Sequence, residues 1–372
     1  MARLEKWFAS VVGICVLMLL FALFEVQPLD IGSGLDSEGA PHINPRQPSG
    51  SVSCTSDAEA LRYVPRSVVE TWTEREFFIV LGIPSVDIEA RRRRRNLQRS
   101  TCWRFPDVAT RANEFSGAML VLYVLARHSS NGYNYSAALQ AEAAWWNDVI
   151  VLPMNEGRVT TNKTVGGSGF WGVEAEIGMS RKTYFWFDFA LRQFPTAPYV
   201  AMGDDGIFLC VPQFLVDLRT VPRRGIYWGL LEKCSPGEPV DYVNGRCMAL
   251  ARDVARQFVV YEPLRRLVCL RYSAERESEF LSLSMNHEDV MVGRVLREVR
   301  CEELVYVKEG PYRFHDVHIG THLAPVSHGS VVVHHLWESE YEVLMRRLGN
   351  GTSPLPKRHR RTREGLVFDC SG

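Results

Sequence analysis

The chain has 372 residues, 46% hydrophobic and 11% aromatic, enough to bury one large or two ordinary domains and too apolar for a disordered chain. Its 43 basic and 43 acidic side chains cancel. No global field therefore steers it to nucleic acid, which is excluded as an expected partner, and local basic runs are judged one at a time.

Residues 7–24 carry no charge, with Arg3 and Lys6 before them and Glu25 and Asp30 after. At ~1.5 Å per residue, a helix of that length just crosses a thin bilayer. The positive-inside rule keeps the N-terminus cytosolic. The expectation is a type II protein, with a cytosolic tail at 1–6 and a transmembrane signal anchor at 7–24. A cleaved signal peptide is the alternative, and both send the remaining chain into a lumen. Residues 25–59 are rich in Pro, Gly and Ser without periodicity. They read as a flexible stem, taken to about residue 70, ahead of a lumenal domain at 71–372.

Eight cysteines follow the anchor: Cys54, Cys102, Cys210, Cys234, Cys247, Cys269, Cys301 and Cys370. None forms a CxxC pair, so structural disulfides are favoured over zinc or thioredoxin chemistry. Acceptor triplets for N-glycosylation begin at Asn134, Asn162 and Asn350.

The first strong strand is the continuous apolar run 77–84, followed by a helix at 87–98 that contains the arginine run 91–95. A strand at 118–126, a helix at 136–146 and a strand at 149–152 repeat the alternation, which implies a parallel sheet. Beyond the Gly-rich stretch 165–172, Tyr184, Phe187, Leu191 and Phe194 share one face of a helix at 181–194. Pro195 and Pro198 stop that helix, and the strand at 199–202 runs straight into Gly203-Asp204-Asp205-Gly206. In an open α/β sheet, ligands sit beyond the carboxyl ends of strands. Asp204 and Asp205 are there as hard oxygen donors for a divalent ion bridging a diphosphate, although an Asp-Asp-Gly stretch also serves simply as a turn.

Several blocks together resemble the β3-glycosyltransferase superfamily, similar to glycosyltransferase family 31. The segment 180–209 resembles its helix, proline break, strand and acidic metal loop; RRNLQRSTCW at 94–103 resembles its arginine segment, and EAAWWNDVIVLP at 142–153 its acidic strand. YVNGRCMALARDVA at 242–255 resembles the acceptor segment, and HEDVMVG at 287–293 the E-D-V motif. Cys102 within T-C-W, together with FHDVHIG at 314–320 and SVVVHHL at 330–336, is most similar to the kinetoplastid branch of UDP-galactose- and UDP-N-acetylglucosamine-dependent enzymes.

The resemblance implies an α/β fold of GT-A type, a Rossmann-like, mostly parallel sheet flanked by helices. The implied activity is inverting transfer of galactose or N-acetylglucosamine from UDP to a glycan hydroxyl on a glycoprotein or glycolipid, in the Golgi, with Mn2+ or Mg2+. Asp289 is the implied catalytic base, and the physics agrees, since an inverting transfer needs a carboxylate to take the acceptor proton. Asp289 also reads as an ordinary acid at a helix N-terminus, and the two uses are compatible. Arg95, Arg99, Asp204, Asp205 and Glu288 are implied at the nucleotide sugar.

Asp204 and Asp205 with His334 or His335 are the implied metal ligands. Strand alternation points the two histidines to opposite faces, so that only one enters the site. Where the family's Asp-x-Asp loop ends in the acid that ligates the ion directly, this chain has Gly206. That difference leaves open a catalytically impaired Golgi protein that binds glycans or acts as a scaffold. Trp145, Trp146, Trp171 and Trp186 read as packing residues, with Trp171 also able to stack on a sugar. The tail 357–363 reads as an exposed basic segment.

Overall fold

Residues 79–84 are apolar on both faces because both faces are covered, and all six are buried in strand β1 (Ile79–Pro84). The computed structural model describes residues 56–167, 169–234, 239–301, 303–319, 325–349, 354–363 and 365–368. The predicted anchor, most of the stem, Cys54, Cys370 and Asn350 lie outside them. Among the described residues, no helix is long and apolar enough to cross a membrane.

Strands β2 (Val108–Ala109), β3 (Met119–Arg127), β4 (Val149–Asn155), β5 (Tyr199–Gly203) and β6 (Phe208–Leu209) follow in chain order. After them come β7 (Ile226–Cys234), β8 (Val240–Val243), β9 (Cys247–Ala251), β10 (Val305–Glu309), β11 (Phe314–Asp316), β12 (Val332–His334), β13 (His359–Thr362) and β14 (Gly365–Phe368). The main sheet runs β13-β14-β10-β7-β9-β5-β1-β3-β2, with β4 also on β3 and β8 on β7. Strands β4, β3, β1 and β5 are parallel, β9 runs antiparallel between β5 and β7, and β10 is parallel to β7. The molecule is a mixed α/β protein whose sheet is mostly parallel and flanked by helices, as expected.

The helices of eight residues or more are α1 (Arg66–Glu74), α2 (Glu89–Ser100), α3 (Ala137–Trp146), α4 (Val173–Gln193), α5 (Val211–Leu218), α6 (Arg252–Val260), α7 (Glu262–Cys269), α8 (Glu288–Glu298) and α9 (Glu340–Gly349) among the described residues. Helix α4 packs on β1, β3, β4 and β5. It fits because β1 carries Gly82, where a Cβ would stand 2.2 Å from the Trp186 ring. The indole then lies flat on the sheet and donates to the Ala201 carbonyl at 2.8 Å.

Packing starts before residue 70, since the turn Asp57–Ala60 and α1 are helical and Ala60 and Val64 are buried. The cysteines also differ from expectation. Cys269 is disulfide-bonded, whereas Cys102, Cys210, Cys234, Cys247 and Cys301 are free thiols. Burial pushes Cys102 and Cys247 up to about 12, so both behave as small apolar side chains of the core.

Candidate active site at the carboxyl ends of β1 and β5

Strand β5 delivers Asp204 and Asp205 beyond its last residue, and the chain turns at once into β6. Strand β12 lies antiparallel to β6, with Val332 opposite Leu209 and Val333 opposite Phe208, so His334 falls beside the acidic turn. Strand β11 lies parallel to β12 and sets Asp316 opposite His334. A short three-stranded sheet thus brings three distant segments to one point.

Asp204 and Asp205 have separate surroundings. Asp205 is 1% exposed. One of its oxygens pairs with Arg91 and the other accepts from Ser85 Oγ at 2.9 Å. Burial still raises its pKa against the pull of Arg91. The Asp204 side chain keeps 43% exposure and faces His334 Nε2 at 3.3 Å. Burial opposes its ionisation, but the His334 hydrogen bond and charge, with Arg91, outweigh that and hold it well below the usual carboxylate range. Of the two expected metal acids, Asp204 alone has an uncommitted face.

Both histidines turn toward Asp316, against the expectation of opposite faces. His335 has φ +55° and lies past the end of β12, so strand alternation no longer applies to it. His335 Nδ1 is bonded to Asp316 Oδ1, and His334 Nδ1 lies 4.0 Å from the same oxygen. Arg246 Nη2 meets Asp316 Oδ2 at 3.0 Å. Burial works against the Asp316 anion, yet the His335 bond and Arg246 keep its pKa low.

A divalent ion fits here. Two ligand atoms at ~2.1 Å from an octahedral ion, at right angles, stand ~3 Å apart, close to the Asp204–His334 separation of 3.3 Å. On the other side of the His334 ring, where Nδ1 is buried without a hydrogen bond, Asp316, His334 and His335 form a second grouping whose ligand atoms lie close enough to hold a cation.

Opposite this turn, the N-terminus of α8 presents Glu288 and Asp289. The turn 244–246 connects them to Asp204: the Arg246 carbonyl accepts from Asp204 N at 3.0 Å, and Gly245 N donates to Asp289 Oδ2 at 3.0 Å. Asp289 Oδ1 also accepts from Val290 N at 2.8 Å. Burial raises the Asp289 pKa despite those two bonds. Burial, Asp289, Glu176 and Asp204 together push Glu288 up to about 8.

Arg95 and Arg99, expected at the donor phosphates, are instead bound to carboxylates inside the body. Arg95 is 0% exposed and holds both oxygens of Glu142 at 2.7 Å, Ser85 Oγ at 2.9 Å and the Val86 carbonyl at 3.0 Å. Arg99 forks onto Asp148 at 2.7 and 2.8 Å and reaches Glu142 at 2.7 Å. Burial raises the Glu142 pKa, but the bonds and charges of Arg95 and Arg99 more than reverse it. The arginines beside the acidic turn are Arg91 and Arg94.

Trp171, in the loop before α4, is partly buried, with Lys163 Nζ 4.7 Å and Arg91 5.8 Å from its ring centre. Trp186 is core, but Trp145 and Trp146 are 67% and 36% exposed, contrary to the packing expectation. With Arg104, Arg111 and others they line a 770 Å³ cavity away from the acidic turn. Asn134 and Asn162 are exposed. The basic tail contributes β13, a strand on β14 that exposes Arg360 and Arg361.

No protein-family model matches the chain, and no curated protein matches it in sequence. Among solved structures, it is similar to a glycosyltransferase involved in the glycosylation of the major capsid of PBCV-1, at 12% identity and TM-score 0.31, over 72% of this chain and 98% of that one. It is also similar to mouse xyloside xylosyltransferase 1 in its apo form, at 11% identity and TM-score 0.35, over 75% of this chain and 99% of that one. TM-scores this low do not establish a shared fold.

Proposed function

We propose that this protein is an inverting glycosyltransferase that moves galactose or N-acetylglucosamine from a UDP-sugar to a glycan hydroxyl. The observation that carries the reading is the convergence of Asp204, His334, Arg94 and the Glu288–Asp289 pair around the acidic turn at the carboxyl end of β5. The blocks at 94–103, 180–209, 287–293 and 330–336 that resemble β3-glycosyltransferases fall on the elements that carry these residues.

Asp204 and His334 would hold a divalent ion, Mn2+ or Mg2+, which when bound offsets charge on the departing diphosphate. Arg91 holds Asp205 in place under the turn, and Ser85 fixes the other oxygen of that acid. Asp289 takes the proton from the acceptor hydroxyl as its oxygen attacks the anomeric carbon. The backbone N–H groups of Gly245 and Val290 aim its carboxylate. Burial and the neighbouring acids push Glu288 up to about 8, which favours its protonated form at neutral pH.

Placement as a type II protein of the Golgi membrane, anchored by residues 7–24, belongs to the same proposal and rests on the charge asymmetry of the N-terminus. The test is donor turnover by the purified protein with UDP-galactose and UDP-N-acetylglucosamine, with manganese and glycan acceptor mixtures. Transfer supports the reading; inactivity with both donors at saturating metal favours the glycan-binding alternative. Digestion of the C-terminal tail by protease in sealed microsomes would overturn the lumenal placement.

A further inference from the structure

Arg94 is 7% exposed, on the buried face of α2 with Arg95, Gln98 and Arg99, and its guanidinium lies beside the acidic turn. Its neighbours in the arginine run are matched: Arg91 by Asp205, Arg92 and Arg93 by Glu89, and Arg95 by Glu142. Among the described residues, Arg94 has no carboxylate within ion-pair distance, and its hydrogen bond is a long one, Nη2 to the Leu336 carbonyl at 3.4 Å. Asp205 acts on it only at longer range and is already paired with Arg91, and a buried guanidinium with no counter-charge in contact is costly unless an anion completes it.

Two glycines make the room it occupies. A Cβ on Gly206 would stand 2.8 Å from Arg94 Nη1, and one on Gly166 would stand 2.5 Å from Nη2. Neither Cβ would have space with the guanidinium where it lies. Nη1 therefore fills the volume into which a side chain at 206 would project, next to Asp204 and His334.

We propose that Arg94 binds the diphosphate of the nucleotide donor directly, a fixed cation standing in the space that a metal-binding acid at position 206 would need. This rests on the donor reading above and deepens it: the phosphates are held by a fork of N–H donors as well as by the Asp204–His334 side. Guanidinium matches phosphate oxygens in charge and geometry, and the pairing strengthens where water is displaced. Arg91 cannot take this part, being committed to Asp205. Nucleoside diphosphate binding then persists, weakened, when metal is chelated.

The experiment is calorimetric titration of UDP and of uridine into the full-length protein in detergent, with EDTA and with manganese. Wild type binds UDP in EDTA. Arg94→Ala weakens UDP ~10- to 100-fold, the worth of one or two charge-assisted hydrogen bonds, and changes uridine less than about twofold. Arg94→Lys, which keeps the charge and loses the fork, falls between. Should Arg94→Ala not fold, Arg94→Gln reads the same ratio. Equal loss for UDP and uridine would make Arg94 a structural residue and overturn the assignment, as would unchanged UDP binding by a folded variant. If the wild type binds neither ligand, the donor reading itself fails and takes the assignment with it.

Discussion

Removing the Arg95 guanidinium distinguishes a structural from a phosphate-binding role for the inner arginines. Arg95→Ala deletes both 2.7 Å bonds to Glu142 and frees Ser85 Oγ. Taking one partner from a buried ion pair costs ~3–5 kcal/mol. Arg99 still reaches Glu142 at 2.7 Å, so the loss falls at the lower end, ~3 kcal/mol. At ~2–4 °C per kcal/mol for a large domain, Tm drops by ~6–12 °C. The pH dependence has a definite sign. The folded-state pKa of Glu142 is lowered, so its ion pairs contribute stability above the unfolded pKa of ~4.3 and lose it as pH falls through the folded value. The difference between wild type and variant is full at neutral pH and shrinks in acid. Thermal melts across pH, with UDP titration well below both transitions, measure each part. A Tm drop under ~2 °C together with a UDP affinity more than tenfold weaker would refute the reasoning and return Arg95 to the phosphates.

Asp289→Asn keeps the shape but cannot take a proton, and transfer falls ~100- to 10,000-fold while UDP still binds; a variant keeping more than about a tenth of turnover removes Asp289 from the mechanism. Because the pKa of Asp289 is raised, wild-type turnover declines on the acid side at a higher pH than an ordinary aspartate would impose, and a pH–rate profile reads that limb. Gly206→Asp sets a carboxylate against Arg94 Nη1 and Asp204 Oδ1, both within 3 Å of the new Cβ. Manganese binding tightens while UDP binding in EDTA weakens, as the new acid captures Arg94; equal behaviour of two well-folded proteins in both titrations counts against this.

Strands β1, β3 and β4 were legible as apolar runs because nearly all their residues are buried on both faces. Helix α4 starts at Val173, eight residues before the periodicity suggests. Its first turns pack through Gly178, whose Cβ would stand 2.7 Å from Gly157 N, and such a contact leaves no apolar signal. Strand β7 was hidden because its burial fades along its length, so it shows neither a continuous run nor an alternation. In α2 the buried face is Arg94, Arg95, Gln98 and Arg99, with spacings of three and four, made of polar residues that only tertiary partners could explain. Asp316 was missed altogether. FHDVHIG and SVVVHHL were singled out separately, but the register that joins Asp316 to His334 is a long-range property.

Arg99, Glu142, Arg95, Ser85, Asp205 and Arg91 are each held by the next. Four of these positions, 95, 99, 142 and 85, never meet a substrate in the arrangement described, yet they fix the acid under the metal turn. Inheritance should treat them as one trait. A lineage that neutralises Glu142 leaves Arg95 as a bare cation in the interior, so 95 and 142 are expected to change as a pair. Aligned relatives would show substitutions deep in the body keeping step with those at the acidic turn, even where surrounding sequence has drifted.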